Sequence, residues 1–117
     1  METPGGRLEQ AAVCFNESPA GRTVAGLTRS LGRPSASVGA AAGSSSQVRI
    51  TVAWELCWYQ WAVDRAGQVV EIAKGEDVEQ LDRSARQWNA SVGKGGQLVF
   101  GAAGRQPLRR AFWLRRR

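Results

Sequence analysis

The run Val48-Arg-Ile-Thr-Val-Ala-Trp-Glu-Leu-Cys-Trp-Tyr-Gln-Trp-Ala-Val-Asp64 holds three of the five tryptophans and the only tyrosine of the chain. No other stretch is so costly to leave in water, so this one has to nucleate the core. Val48, Ile50, Val52, Trp54, Leu56 and Trp58 form an unbroken apolar series at even positions. The odd positions begin Arg49, Thr51, Ala53 and Glu55, then turn apolar at Cys57, Tyr59 and Trp61. A period of two with β-branched and aromatic residues predicts a strand. Trp54, Cys57, Trp58 and Trp61 also satisfy helical spacing, and the β-branched residues at 48–52 favour the strand over that alternative. The seventeen residues exceed an ordinary strand, which is expected to bend or to serve separate pairings at its two ends. On this reading Tyr59 and Trp61 lie on the face opposite Trp54 and Trp58. One helix cannot cover both faces, so Tyr59 and Trp61 are the candidate protein-binding residues, facing a partner protein or a second subunit.

The residues that follow complete a small sheet. Asp64-Arg-Ala-Gly67 carries turn chemistry, and Gln68 to Lys74 returns as a second strand with Val70 and Ile72 on one face. Gly75-Glu-Asp breaks that strand. Asp77 then opens a helix, with Gln80 completing a capping-box pattern. Val78, Leu81, Ala85 and Trp88 form its apolar stripe, and Glu79–Arg83 and Asp82–Arg86 are acid-before-base pairs on its wet side. Gly93-Lys-Gly-Gly96 leads to a last strand, Gln97 to Gly101, with Ser91-Val92 pairing to Leu98-Val99. The expected fold is α+β: an antiparallel β-β-α-β sheet with one helix packed on one face, spanning residues 47–101.

Both flanks are expected to be disordered. Gly, Pro and Ser make up seventeen of the first 46 residues, and such a segment buries little to offset its ordering entropy. Short helices around Leu8 to Phe15 or Thr23 to Leu31 are the local alternatives. Residues 102–117 form a basic aromatic tail. Net charge is +1 over residues 1–46, −1 over 47–100 and +6 over 101–117, so the basicity belongs to the tail and not to the fold. In that tail Pro107 can open a short helix carrying Leu108, Phe112 and Trp113. Arg105, Arg109, Arg110, Phe112, Trp113, Arg115, Arg116 and Arg117 are its candidate nucleic-acid or membrane-binding residues, the arginines on phosphates and the rings inserted.

Catalytic and metal chemistry find little support. The chain has no histidine, which removes the usual neutral-pH base and both Ser-His and Cys-His pairs. Two cysteines without histidine cannot supply a structural zinc site, and Cys57 among aromatics reads as an inert thiol. Glu55, Asp64, Glu71, Glu76 and Asp77 could pair as carboxylates, but they read more simply as a solvated strand face and a helix start. Gly93-Lys-Gly-Gly fails the phosphate-loop pattern in spacing, residue type and context. No catalytic residue, cofactor or small-molecule substrate is therefore expected. The N-terminal residues lack a secretory pattern, and a reducing, cytoplasmic setting is expected. The abundance of Ala, Gly, Arg and Val suits a GC-rich bacterial genome. The functional expectation is a non-enzymatic protein-interaction module with an aromatic-rich sheet, able to self-associate. Attachment to nucleic acid or anionic membrane through the tail is the alternative.

Overall fold

The structure is a computed structural model that describes residues 4–40, 47–93 and 95–100. In chain order it runs α1 (Pro4–Glu17), α2 (Pro19–Leu31), β1 (Ser35–Ala40), β2 (Val48–Ala53), β3 (Trp58–Val63), β4 (Val69–Gly75), two 3-10 turns (Val78–Gln80 and Arg83–Ala85), β5 (Ala90–Val92) and β6 (Leu98–Phe100). The strands form one antiparallel sheet ordered β4-β3-β2-β1-β5-β6. The α+β class is as expected, but the β-β-α-β arrangement is not.

The aromatic run is a hairpin and not one long strand. β2 and β3 pair from Val48–Val63 to Ala53–Trp58, and Trp54 N–H donates to the Cys57 carbonyl at 2.7 Å across the turn. The reversal exchanges the parity of the two halves. Even positions on β2 and odd positions on β3 now share a face, so Tyr59 and Trp61 lie on the same side as Trp54. Only Trp58 points the other way. The even-numbered series that made the run look continuous is thereby divided between two faces.

Residues 4–40, expected to be mostly disordered, supply both helices and a central strand; the alternative helices around Leu8 to Phe15 and Thr23 to Leu31 fall within α1 and α2. Ser18 alone separates the helices. Its backbone N–H and hydroxyl both donate to the Phe15 carbonyl, and its hydroxyl oxygen caps α2 by accepting from Ala20 N–H. Pro19 follows at the first helical position, where a missing N–H costs nothing. The buried stripes are Ala11, Ala12 and Phe15 on α1, and Ala20, Val24 and Thr28 on α2. β1 (Ser-Ala-Ser-Val-Gly-Ala) lies between β2 and β5, with Ser35 to Val38 all buried. Small residues here mark close packing instead of disorder.

The core has two layers. On one face, Phe15 and Val24 of the helices meet Val38, Ile50, Val52, Trp54, Trp61, Val63, Val92 and Leu98. The aromatics stand in file: Phe15 edge-on to Trp61 at 4.9 Å, Trp61 stacked on Tyr59 at 5.7 Å, and Tyr59 edge-on to Trp54 at 6.3 Å. On the other face, the segment from β4 to β5 crosses over the sheet and buries Leu81, Ala85 and Trp88 against Ala53 and Trp58.

That crossover is where a helix was expected. The apolar residues face the sheet as the stripe requires, but the backbone makes two short turns. Asp77 accepts from Glu79 N–H, and Asp82 accepts from Ala85 N–H. A second capping aspartate five residues after the first restarts the chain instead of continuing it. Asp82 does not pair with Arg86; Arg49 of β2 donates to it at 3.2 Å. The Ser84 hydroxyl, Arg49 and the Ala85 N–H together hold its carboxyl below the ordinary aspartate range.

Two asparagine side chains extend the sheet where backbone pairing stops. Asn89 both donates to and accepts from the Val38 backbone at 2.9 Å, beyond the last β1–β5 pair. Asn16 of α1 does the same for Leu98, accepting from its N–H at 2.8 Å and donating to its carbonyl at 2.9 Å. The second pair satisfies Leu98 at the start of the β6 edge. Asn16→Ala leaves two backbone groups of Leu98 without these partners and is expected to lower stability by about 1–3 kcal/mol, read as a reduced urea midpoint with an unchanged slope.

Candidate functional site

Among the described residues the sheet has two edges: β6, where Asn16 bonds Leu98, and β4, Val69–Gly75. Val70 and Ile72 are each about half exposed there (51 % and 50 %), and Glu71 and Lys74 are exposed beside them. A strand edge offers a row of backbone donors and acceptors.

β4 carries an irregularity. The pairing steps from Gln60–Ala73 to Trp61–Glu71, so Glu71, Ile72 and Ala73 stand against two residues of β3. This is a β-bulge, and it changes which side chains share a face. Val69, Glu71 and Lys74 pair with Val63, Trp61 and Tyr59 and lie on the helix side. Val70, Ala73 and Gly75 pair with Ala62, Gln60 and Trp58 and lie on the crossover side.

At the Gly75 end the edge opens into a cleft of about 530 Å³ lined by Cys57, Trp58, Tyr59, Lys74, Gly75, Glu76 and Gln80. That volume is within the range of small-ligand and side-chain pockets. Trp58 forms its wall and is held by an indole N–H donated to the Asp77 carbonyl at 2.8 Å. Gly75 is bare because nothing else fits: a Cβ there would lie 2.6 Å from the Trp58 ring and 2.6 Å from Gln80 Oε1. Cys57 is half-buried, and burial pushes its thiol above the ordinary value, which reduces its thiolate fraction at neutral pH. Leu56, 67 % exposed in the preceding turn, stands next to it in sequence.

The two expected contact residues separate. Tyr59 is half-buried between Trp61 and Trp54 in the aromatic file and reaches the cleft. Trp61 is 3 % exposed and packs on Phe15, so its ring belongs to the core and not to a surface. The premise that both rings needed a partner assumed a single helix. Two helices cover that face, and the crossover covers much of the other. Val70, Ile72 and Lys74 were legible as strand residues, but nothing in the spacing indicated that theirs would be the unpaired strand. Of the five carboxylates weighed for acid–base work, Glu55, Glu71, Glu76 and Asp77 are exposed and Asp64 is partly buried. The arginines, Phe112 and Trp113 of the tail lie outside the described residues.

Among the described residues no group of three or more Cys, Asp or Glu side chains is placed to hold a metal ion, and no helix is long and apolar enough to cross a membrane. Gly75→Ala is expected to displace the Trp58 ring, lowering stability by about 1–3 kcal/mol and shifting tryptophan emission to longer wavelength. An unchanged spectrum would show that the wall does not depend on the missing side chain. Comparison of the chain with protein-family models, with curated proteins and with solved structures returned no match.

Proposed function

We propose that this chain is a non-enzymatic protein-interaction module that takes up an extended partner segment along β4, with the cleft at the end of that strand as its side-chain pocket. The contrast between the two sheet edges carries this reading. At β6 the helix side chain Asn16 satisfies the outward N–H and carbonyl of Leu98, whereas β4 presents half-exposed Val70 and Ile72. Strand addition supplies affinity through main-chain hydrogen bonds and specificity through alternate side chains. Tyr59 and Trp58 give the cleft aromatic walls, while Lys74 and Glu76 can orient either end of a peptide dipole.

Peptides selected from a random library on the full chain test this directly. Bound peptide should slow amide hydrogen exchange within residues 69–75. Val70→Lys and Ile72→Lys should each weaken binding ~10-fold while changing stability little, since both side chains are half exposed. Selected peptides that protect another region, or that bind these variants equally well, would reject the edge as the site.

The second reading rests on composition. Residues 101–117 contain six arginines and no acid, with Phe112 and Trp113 among them, which suits attachment to nucleic acid or an anionic membrane. Binding of the full chain to anionic vesicles or nucleic acid should then fall steeply with salt, and removal of residues 105–117 should abolish it, measured by co-sedimentation or fluorescence anisotropy.

A further inference from the structure

We infer that the partner along β4 is a second copy of this chain, paired strand to strand in antiparallel register about a two-fold axis normal to the sheet, with Glu71 of each copy opposite Lys74 of the other. The inference rests on the interaction-module reading and names its partner.

The bulge makes this register available. In a regular strand, residues three apart point to opposite faces. Here the extra residue between the Gln60–Ala73 and Trp61–Glu71 pairs puts Glu71 and Lys74 on the same, helix-facing side. Opposed residues of a two-fold strand pair must share a face. Glu71 against Lys74 therefore satisfies the geometry, and the symmetry delivers the contact twice.

The rest of the register agrees in size. Val70 stands opposite Gly75, and Ile72 opposite Ala73, so each large edge residue meets a small one. Val70 and Gly75 both lie on the crossover face, being paired in their own sheet with Ala62 and Trp58. The incoming Val70 thus arrives beside the bare Gly75 at the margin of the Trp58 ring, in the mouth of the cleft. A register centred on Ile72 instead sets Glu71 against Ala73 and Lys74 against Val70, and loses both complementarities. A lysine and a bulge on an edge strand ordinarily discourage pairing. Against a copy of itself the lysine meets its own acid, and the bulge is what aligns them.

Sedimentation velocity of the full chain at low ionic strength, over a concentration series through the micromolar range, tests the pairing. A weak, concentration-dependent dimer is expected, since an interface of one strand per copy is small. E71K or K74E alone should weaken it ~10-fold or more by placing like charges opposite one another twice. An equimolar mixture of the two variants should restore it, because one copy then carries bases at both positions and the other acids at both. A second measurement needs no substitution: carbodiimide coupling of mixed light- and heavy-isotope chains should yield a covalent dimer joining Glu71 of one isotope to Lys74 of the other. A monomer throughout the series, a dimer indifferent to both reversals, or a mixture that fails to recover would overturn the proposal. If self-pairing fails while selected peptides still protect residues 69–75, the module reading stands without it. If neither occurs, both fall.

Discussion

The contact on which this fold turns is Phe15 standing edge-on against Trp61. Phe15 is completely buried and comes from the first helix; Trp61 comes from the middle of β3. Together they convert a sheet with one very apolar face into a two-layer structure, and the Trp61–Tyr59–Trp54 file spreads that attachment along the strand ends. Losing a buried aromatic of this kind typically costs about 3–5 kcal/mol, a large part of what a domain this size has to spare. Half of the buried helix residues are alanine, so Phe15, with Val24 beside it in the same cluster, supplies the bulk that those small side chains lack.

How much of this was readable from sequence depends on the residue type carrying the signal. Bulky residues announced the β2, β3 and β4 segments, and glycine chemistry placed the Asp64–Gly67 and Gly93–Gly96 turns, with Gly67 at φ 87°. The turn at Glu55-Leu56 was hidden, because neither residue is a turn former and the alternation ran through it unbroken. That omission inverted the facing of Tyr59 and Trp61. In the N-terminal segment the helical alternatives at 8–15 and 23–31 fall inside α1 and α2, but the order of the segment and its strand β1 were missed for the opposite reason. Ala11, Ala12, Ala20 and the Ser-Ala-Ser-Val strand bury almost completely, yet by composition they look like a linker. Close approach between backbones demands small side chains, so a central strand of the sheet was also the least conspicuous. At 77–89 the apolar spacing was right about burial and wrong about backbone, since spacing alone does not distinguish a helix from successive turns laid over a sheet.

The sheet's two edges receive unlike treatment, and the functional reading follows from that difference. Asn16 mimics a neighbouring strand at β6, and the crossover fills the face that the helices leave free. Among the described residues, what remains is concentrated at β4 and the cleft beyond it: an open strand edge, half-exposed aliphatics, a bulge, and the rings of Trp58 and Tyr59. The candidate site is in this sense a residue of the packing. It lies where the covering elements run out, which is why no local motif marked it in advance.

The Asn16–Leu98 clasp also bears on how the chain reaches its native state. It joins residues 82 positions apart, and β1 at the centre of the sheet waits for β5, more than fifty residues downstream, to flank its second side. Topologies dominated by such distant pairings fold slowly, in roughly milliseconds to seconds. During synthesis the β1–β4 meander can assemble early, but its inner flank stays uncovered until Asn89 and β5 have left the ribosome. For that interval a small-residue strand with unmet hydrogen bonds is exposed, and the nascent chain is most in need of protection from its neighbours.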